Sequence, residues 1–265
     1  MLFHKLSSLA LAAVFLAAAG CQPESDAADT DQEPIDVAQE AVTLGGFSVP
    51  AGPGVLIPQS LPFVKEIYQL EAKAWTRWAM GLPDSTGPIN DTTGAACGQG
   101  QSGPVWYLAG TYGGAATRSC TIPGHKLIYV PLINTWVVPM SQYVDTPAEM
   151  ADYQAFIAEY VTYVRAHTCH LSIKLDGVPL LPSEAQLDAR LWTQVTNPFS
   201  VTVNDDNFTG EPGYTTPAAV AAGHYALLRP LSPGNHVLEY GGTRCDDDGA
   251  VEFETSVVYH LTVGN

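Results

Sequence analysis

Positive charge is what this chain has least of: 11 Lys and Arg stand against 27 Asp and Glu in 265 residues. Nucleic acid and anionic membrane surfaces are held by clustered bases that meet phosphate, so neither is expected as a partner. Several chemical signatures are also missing. No CxxC pair is present, which argues against a thioredoxin-like or zinc-ribbon role. Without HExxH or a second ligand cluster, neither a metal nor a cofactor is expected. Without GxSxG there is no nucleophile elbow. No internal repeat occurs, and convincing helical patterns are few.

The apolar run Leu6–Ala19 is too short to cross a bilayer, and it follows His4 and Lys5. This pattern reads as an export signal over residues 1–20. Ala18-Ala19-Gly20-Cys21 resembles a bacterial lipobox, with Ala where Leu is usual three positions before the Cys. The resemblance implies acylation of Cys21 and a lipid-anchored protein of the bacterial cell envelope; a plain secretory signal is the alternative. Residues 21–44 then read as an acidic tether, since Gln22–Val42 carries seven acids and no Lys or Arg. Loss of Lys5 with the signal leaves a formal charge of 10 − 27 = −17. Contact with the membrane is expected only through the lipid.

Residues 45–265 are long enough for one sizeable domain. Their abundant Pro and Gly and short apolar runs suit a mainly β domain, an antiparallel sandwich or jelly roll with two amphipathic helices. The densest strand signals lie between Cys97 and Trp136. Pro104–Gly110, Thr117–Ile122 and Lys126–Ile133 read as three strands of a meander, turned at Gly113-Gly114 and Ile122-Pro123-Gly124. Later, Asp176-Gly177 reads as a hairpin turn, and Leu231–Asn235 as a corner between antiparallel neighbours. Thr255–Val263 alternates like a final strand with one buried face.

The first helix is expected over Ser60–Met80, with Val64, Ile67, Tyr68, Trp75 and Trp78 on one face and Glu71 in the same stripe. The second opens on the capping box Thr146-Pro147-Ala148-Glu149 and runs to about His167, with Met150, Tyr153, Ile157, Tyr160 and Val164 inward. Setting Cys21 aside leaves Cys97, Cys120, Cys169 and Cys245, an even number in an exported chain. Of three pairings, Cys97–Cys120 with Cys169–Cys245 is chosen, because it staples the meander and separately ties the middle of the chain to its last hairpin.

The runs GPVWYLAGT…TRSCTIPGHKLIYVPLIN and YALLRPLSPGNHVLEYGG…VVYHLTV, with the preceding tryptophan helix, resemble a scattered group of uncharacterised secreted bacterial proteins over residues 60 to 263. The resemblance implies a recurring extracellular β-rich domain and carries no activity.

Chemistry has a few candidate seats. Glu71 on an apolar face beside Trp75 should have a raised pKa unless a cation such as Arg118 holds it. It reads as a general acid or base, or as half of a buried ion pair. Trp75, Trp78, Trp106, Tyr107, Tyr112 and Trp136 could form an aromatic platform, or could simply be core. His125, Arg118 and a carboxylate of the long polar loop, Asp84 or Asp91, could form an anion or nucleophile site. His167 and His170 around Cys169, and the acidic turns at Asn204–Asn207 and Asp246–Gly249, read better as structure than as metal sites. The favoured expectation is ligand binding, of a glycan or small organic molecule, through Trp75, Trp78, Trp106 and Arg118. A hydrolase or lyase built on Glu71, Asp91, His125 and Arg118 comes second, and a protein-interaction surface third.

Overall fold

The computed structural model describes residues 42–44, 47–49, 54–195 and 197–265. The expected signal, Cys21 and the tether as far as residue 41 lie outside them. Residues 42–44, read as the end of the tether, are among the described ones. Val42–Leu44 (β1) pairs with Phe47–Val49 (β2), and Leu44 is buried in the core.

Two five-stranded sheets face each other. The first contains β3 (Val105–Tyr107), β5 (Leu127–Val137), β10 (Tyr214–Leu228) and β8 (Trp192–Gln194) in that order, with β9 (Phe199–Val203) also on β10. The second runs β4 (Gly114–Ile122), β12 (Val251–Val263), β11 (Gly234–Cys245), β6 (Thr168–Leu175) and β7 (Val178–Pro179). The mainly β sandwich is therefore correct. The sheets are mixed rather than purely antiparallel, because β3 pairs with β5 and β4 with β12 in parallel.

Those parallel pairs correct the meander. β3 and β5 are neighbours, while β4 between them crosses to the other sheet and so serves as their crossover. The corner at Leu231–Asn235 likewise carries the chain from one sheet to the other rather than turning a hairpin. The Asp176-Gly177 hairpin and the final strand are as expected.

Alternation places the core. Ile128, Val130 and Leu132 of β5 face the second sheet, whereas Leu127 and Tyr129 face outward under a helix. That helix is α1 (Val64–Gly81), which buries Val64, Ile67, Tyr68, Trp75 and Trp78 on the back of the first sheet. It starts four residues later than expected, after Phe63 at φ 62°, so Ser60 does not cap it. Covered on both faces, β10 is buried from Ala218 to Leu228. The second sheet's outer face is exposed, so β4 and β12 alternate.

Helix α2 (Pro147–Ala166) has its capping box formed in both directions and buries Tyr153, Val161 and Val164. A third helix, α3 (Glu184–Leu191), capped by Ser183, tucks Leu187 and Leu191 into the core between the sheets. Both chosen disulfides are present, Cys97–Cys120 and Cys169–Cys245.

Candidate functional site

The end of β5 builds one wall of a cleft. Pro131 has no N–H to give the ladder, and the register slips beside it: His224 pairs with Ile133 and Tyr225 with Pro131, which leaves Leu132 of β5 as the extra, unpaired residue of a bulge. At this bulge Gly223, at φ 154°, lies against Asn134, where a Cβ would come 2.5 Å from the Asn134 Cα. The strand then emerges as Asn134, Thr135 and Trp136, which line a cavity of about 280 Å³ at one end of the sandwich. Trp75 and Ile89, Gly110–Tyr112, Val164 and Thr168 on the α2–β6 side, and Arg244 and Phe253 complete the lining.

Rings crowd the mouth. Trp136 lies 6.4 Å from Tyr112 and 4.8 Å from Phe208, and Tyr112 and Phe208 are 6.2 Å apart. Tyr112 and Phe208 are both large exposed aromatics. Burial first, and the Asp84 carboxylate beside it second, push the Tyr112 phenol well above its ordinary pKa. Beyond Trp136 lies a second hollow of about 310 Å³, walled by Val137–Met140, Tyr143, Phe208, Thr209 and Tyr214. Arg244 is set at the first cavity by Glu252, 3.3 Å from its Nε, and by the face of Phe253. Thr135 is tied to Tyr160 of α2 at 3.1 Å.

The four residues expected to bind ligand are divided among different environments. Trp75 is at the cavity floor, its Nε1 donating to the Leu108 carbonyl at 2.8 Å. Arg118 is behind the wall and 1% exposed. Its guanidinium donates to the carbonyls of Ile89, Asp91, Ala109 and Gly110 and reaches the Tyr259 hydroxyl. It therefore positions Ile89 and Gly110 without facing a ligand. Trp78 donates to the Gln99 carbonyl in the core under α1, and Trp106 packs between the sheets, so neither contributes to a platform. Of the wider aromatic set, Tyr112 and Trp136 form the rim.

The residues expected to form an enzyme are not assembled. Glu71 accepts a hydrogen bond from the Tyr107 hydroxyl at 2.7 Å, not from Arg118. Burial raises its carboxyl pKa, with the Tyr107 bond pulling the other way. Asp91 closes its own loop by accepting from the Ala96 and Thr93 N–H groups and the Thr93 hydroxyl. What burial there is would raise its pKa, but these bonds prevail and hold it low. His125 is exposed in the turn after β4, about 13 Å of strand beyond Arg118. Cys169, His170 and Cys245 have ligand atoms within 4.8 Å of one another, but the two sulfurs are bonded together.

Two polar groups inside apolar runs escaped the sequence reading. Asn134 interrupts the apolar run of β5, and His224 sits within AAVAAGHYALL. Buried His224 meets Asp188 of α3 at 2.9 Å, which in turn meets Arg165 of α2 at 3.2 Å. Desolvation lowers the His224 pKa against the pull of Asp188. Phe208 also left a signal: an aromatic in the polar, turn-rich segment Asn204–Tyr214 has no strand to bury it. Comparison of the chain with known protein families, curated proteins and solved structures gave no match.

Proposed function

We propose that this is an envelope-anchored lipoprotein whose folded domain binds a glycan or small organic molecule in the cleft at the end of the sandwich. The observation that carries the reading is the ring cluster Tyr112–Trp136–Phe208 at the mouth of a cavity with threonine, asparagine and arginine in its lining. Pockets of this size that are mostly apolar with a few converging polar groups are the usual seats of small ligands. Aromatic faces suit a partly wet site. The scattering of Glu71, Asp91, His125 and Arg118 gives the enzyme reading no comparable support.

Native mass spectrometry of the mature domain, purified without chelator, looks for a carried-over ligand. Titration of glycans and small organic molecules against tryptophan fluorescence then measures affinity. Trp136→Ala is expected to weaken binding by about tenfold or more while leaving the thermal melt near that of the wild type. Wild-type affinity in both Trp136→Ala and Arg244→Ala would remove the cleft as the site. Lipid attachment is checked separately: radiolabelled palmitate should enter the full chain and not the Cys21→Ser variant.

A further inference from the structure

Trp136 lines the first cavity on one side and the second hollow on the other. The two spaces differ in chemistry. The first presents Thr111, Asn134, Thr135 and Arg244 among its lining residues. The Thr111 hydroxyl is already taken up by Gly113, Gly114 and Thr255, but that of Thr135, engaged once with Tyr160, can still exchange a further bond, and a guanidinium whose Nε is held by Glu252 has four more N–H donors. The second is walled by Val138, Pro139, Met140, Tyr143, Phe208 and Tyr214. There the Tyr214 hydroxyl is spent on the Val138 carbonyl at 2.6 Å, and the Thr209 hydroxyl on Asn207. A ligand reaching across Trp136 therefore passes from a place that rewards hydroxyl groups to one that rewards hydrocarbon.

Ring geometry narrows the class further. Trp136 stands at 73° to Tyr112 and 70° to Phe208. Rings so crossed leave no parallel slot for a flat polycyclic guest, but offer faces and edges to a bulky, non-planar one. Resting on the ligand-binding reading above, we infer that the ligand is a neutral glycoside with an apolar aglycone. Its sugar occupies the first cavity, and its acyl or aryl chain lies past Trp136 in the second hollow.

The test is calorimetric titration of the mature domain with paired methyl and octyl glycosides of glucose, galactose, mannose and N-acetylglucosamine, below their micelle-forming concentrations. Octanol and octyl sulfate serve as controls. At least one octyl glycoside is expected to bind about tenfold or more tightly than its methyl partner, since several methylenes leave water. Tyr143→Ala, an exposed residue of the second hollow alone, should erase that gain and spare the methyl glycoside. Arg244→Ala or Thr135→Val should weaken both members of the pair. Equal affinity of methyl and octyl members overturns the two-part ligand and leaves the cleft reading standing. Binding of octanol or octyl sulfate as tight as that of the octyl glycosides also overturns it, because the sugar would then be dispensable. Binding of no glycoside at all overturns it together with the glycan part of the proposed function.

Discussion

Arg118 shows how a single side chain can be essential to a site that it does not enter. Its bonds to four backbone carbonyls hold the loop at Ile89–Asp91 and the segment Ala109-Gly110 after β3 against β4. Arg118→Ala is expected to cost about 3–5 kcal/mol in chemical denaturation, because buried carbonyls lose a charged donor. Lysine should not restore it, since one ammonium cannot reproduce the fork of a guanidinium. Glu71 gives a prediction with a sign. Burial raises its folded pKa above the unfolded value of about 4.3, so the fold favours the protonated form. Its contribution is complete below the unfolded pKa and fades as pH rises through the folded one. Glu71→Gln should thus melt higher than wild type at pH 8, with the difference closing by about pH 4. A difference that stays constant across melts in that range would count against it. The raised carboxyl was legible from the apolar stripe of α1. Its partner was not, because spacing along the chain does not tell which sheet a later strand joins, and Tyr107 rather than Arg118 came to lie beneath the helix.

At the scale of elements, the strands could be found in the sequence but their sorting was harder to read. Their alternation nevertheless distinguishes the two layers. Thr117, Ser119 and Thr121 alternate with Arg118, Cys120 and Ile122, the pattern of a strand with one face in water. Leu127–Ile133 is apolar on both faces, as suits a sheet covered by a helix behind and a sheet in front. Strands with such different patterns belong to different layers, and a meander would have forced them into one. The bulge between β5 and β10 was beyond sequence reading, as it depends on Pro131 meeting a particular partner. Its consequence can be measured at Gly223. With φ at 154° and Asn134 backbone at contact, Gly223→Ala must displace β5 at the wall of the cleft. A loss of more than about 1 kcal/mol is expected by denaturation, with weaker ligand binding in the protein that remains folded. Unchanged stability would mean that the two strands can separate there without cost.

For the whole molecule, charge decides what approaches the cleft. A chain with 27 acids and few bases repels anions over distances set by ionic strength, about 30 Å in 0.01 M salt and less than 10 Å at 0.15 M. Asp84 beside Tyr112 adds a local carboxylate at the rim. Arg244 opposes it from inside the cavity, although Glu252 partly neutralises its charge. The long-range term should prevail outside the site, since a single paired guanidinium contributes little once screened. An octyl glucuronide is therefore expected to bind more weakly than the octyl glucoside at about 0.01 M salt, and the gap should narrow as salt approaches about 0.3 M. The neutral glycoside should show little salt dependence over the same range. A glucuronide that binds more tightly at low salt would place Arg244 in command of selectivity, and Arg244→Ala would then reverse the order of the two ligands.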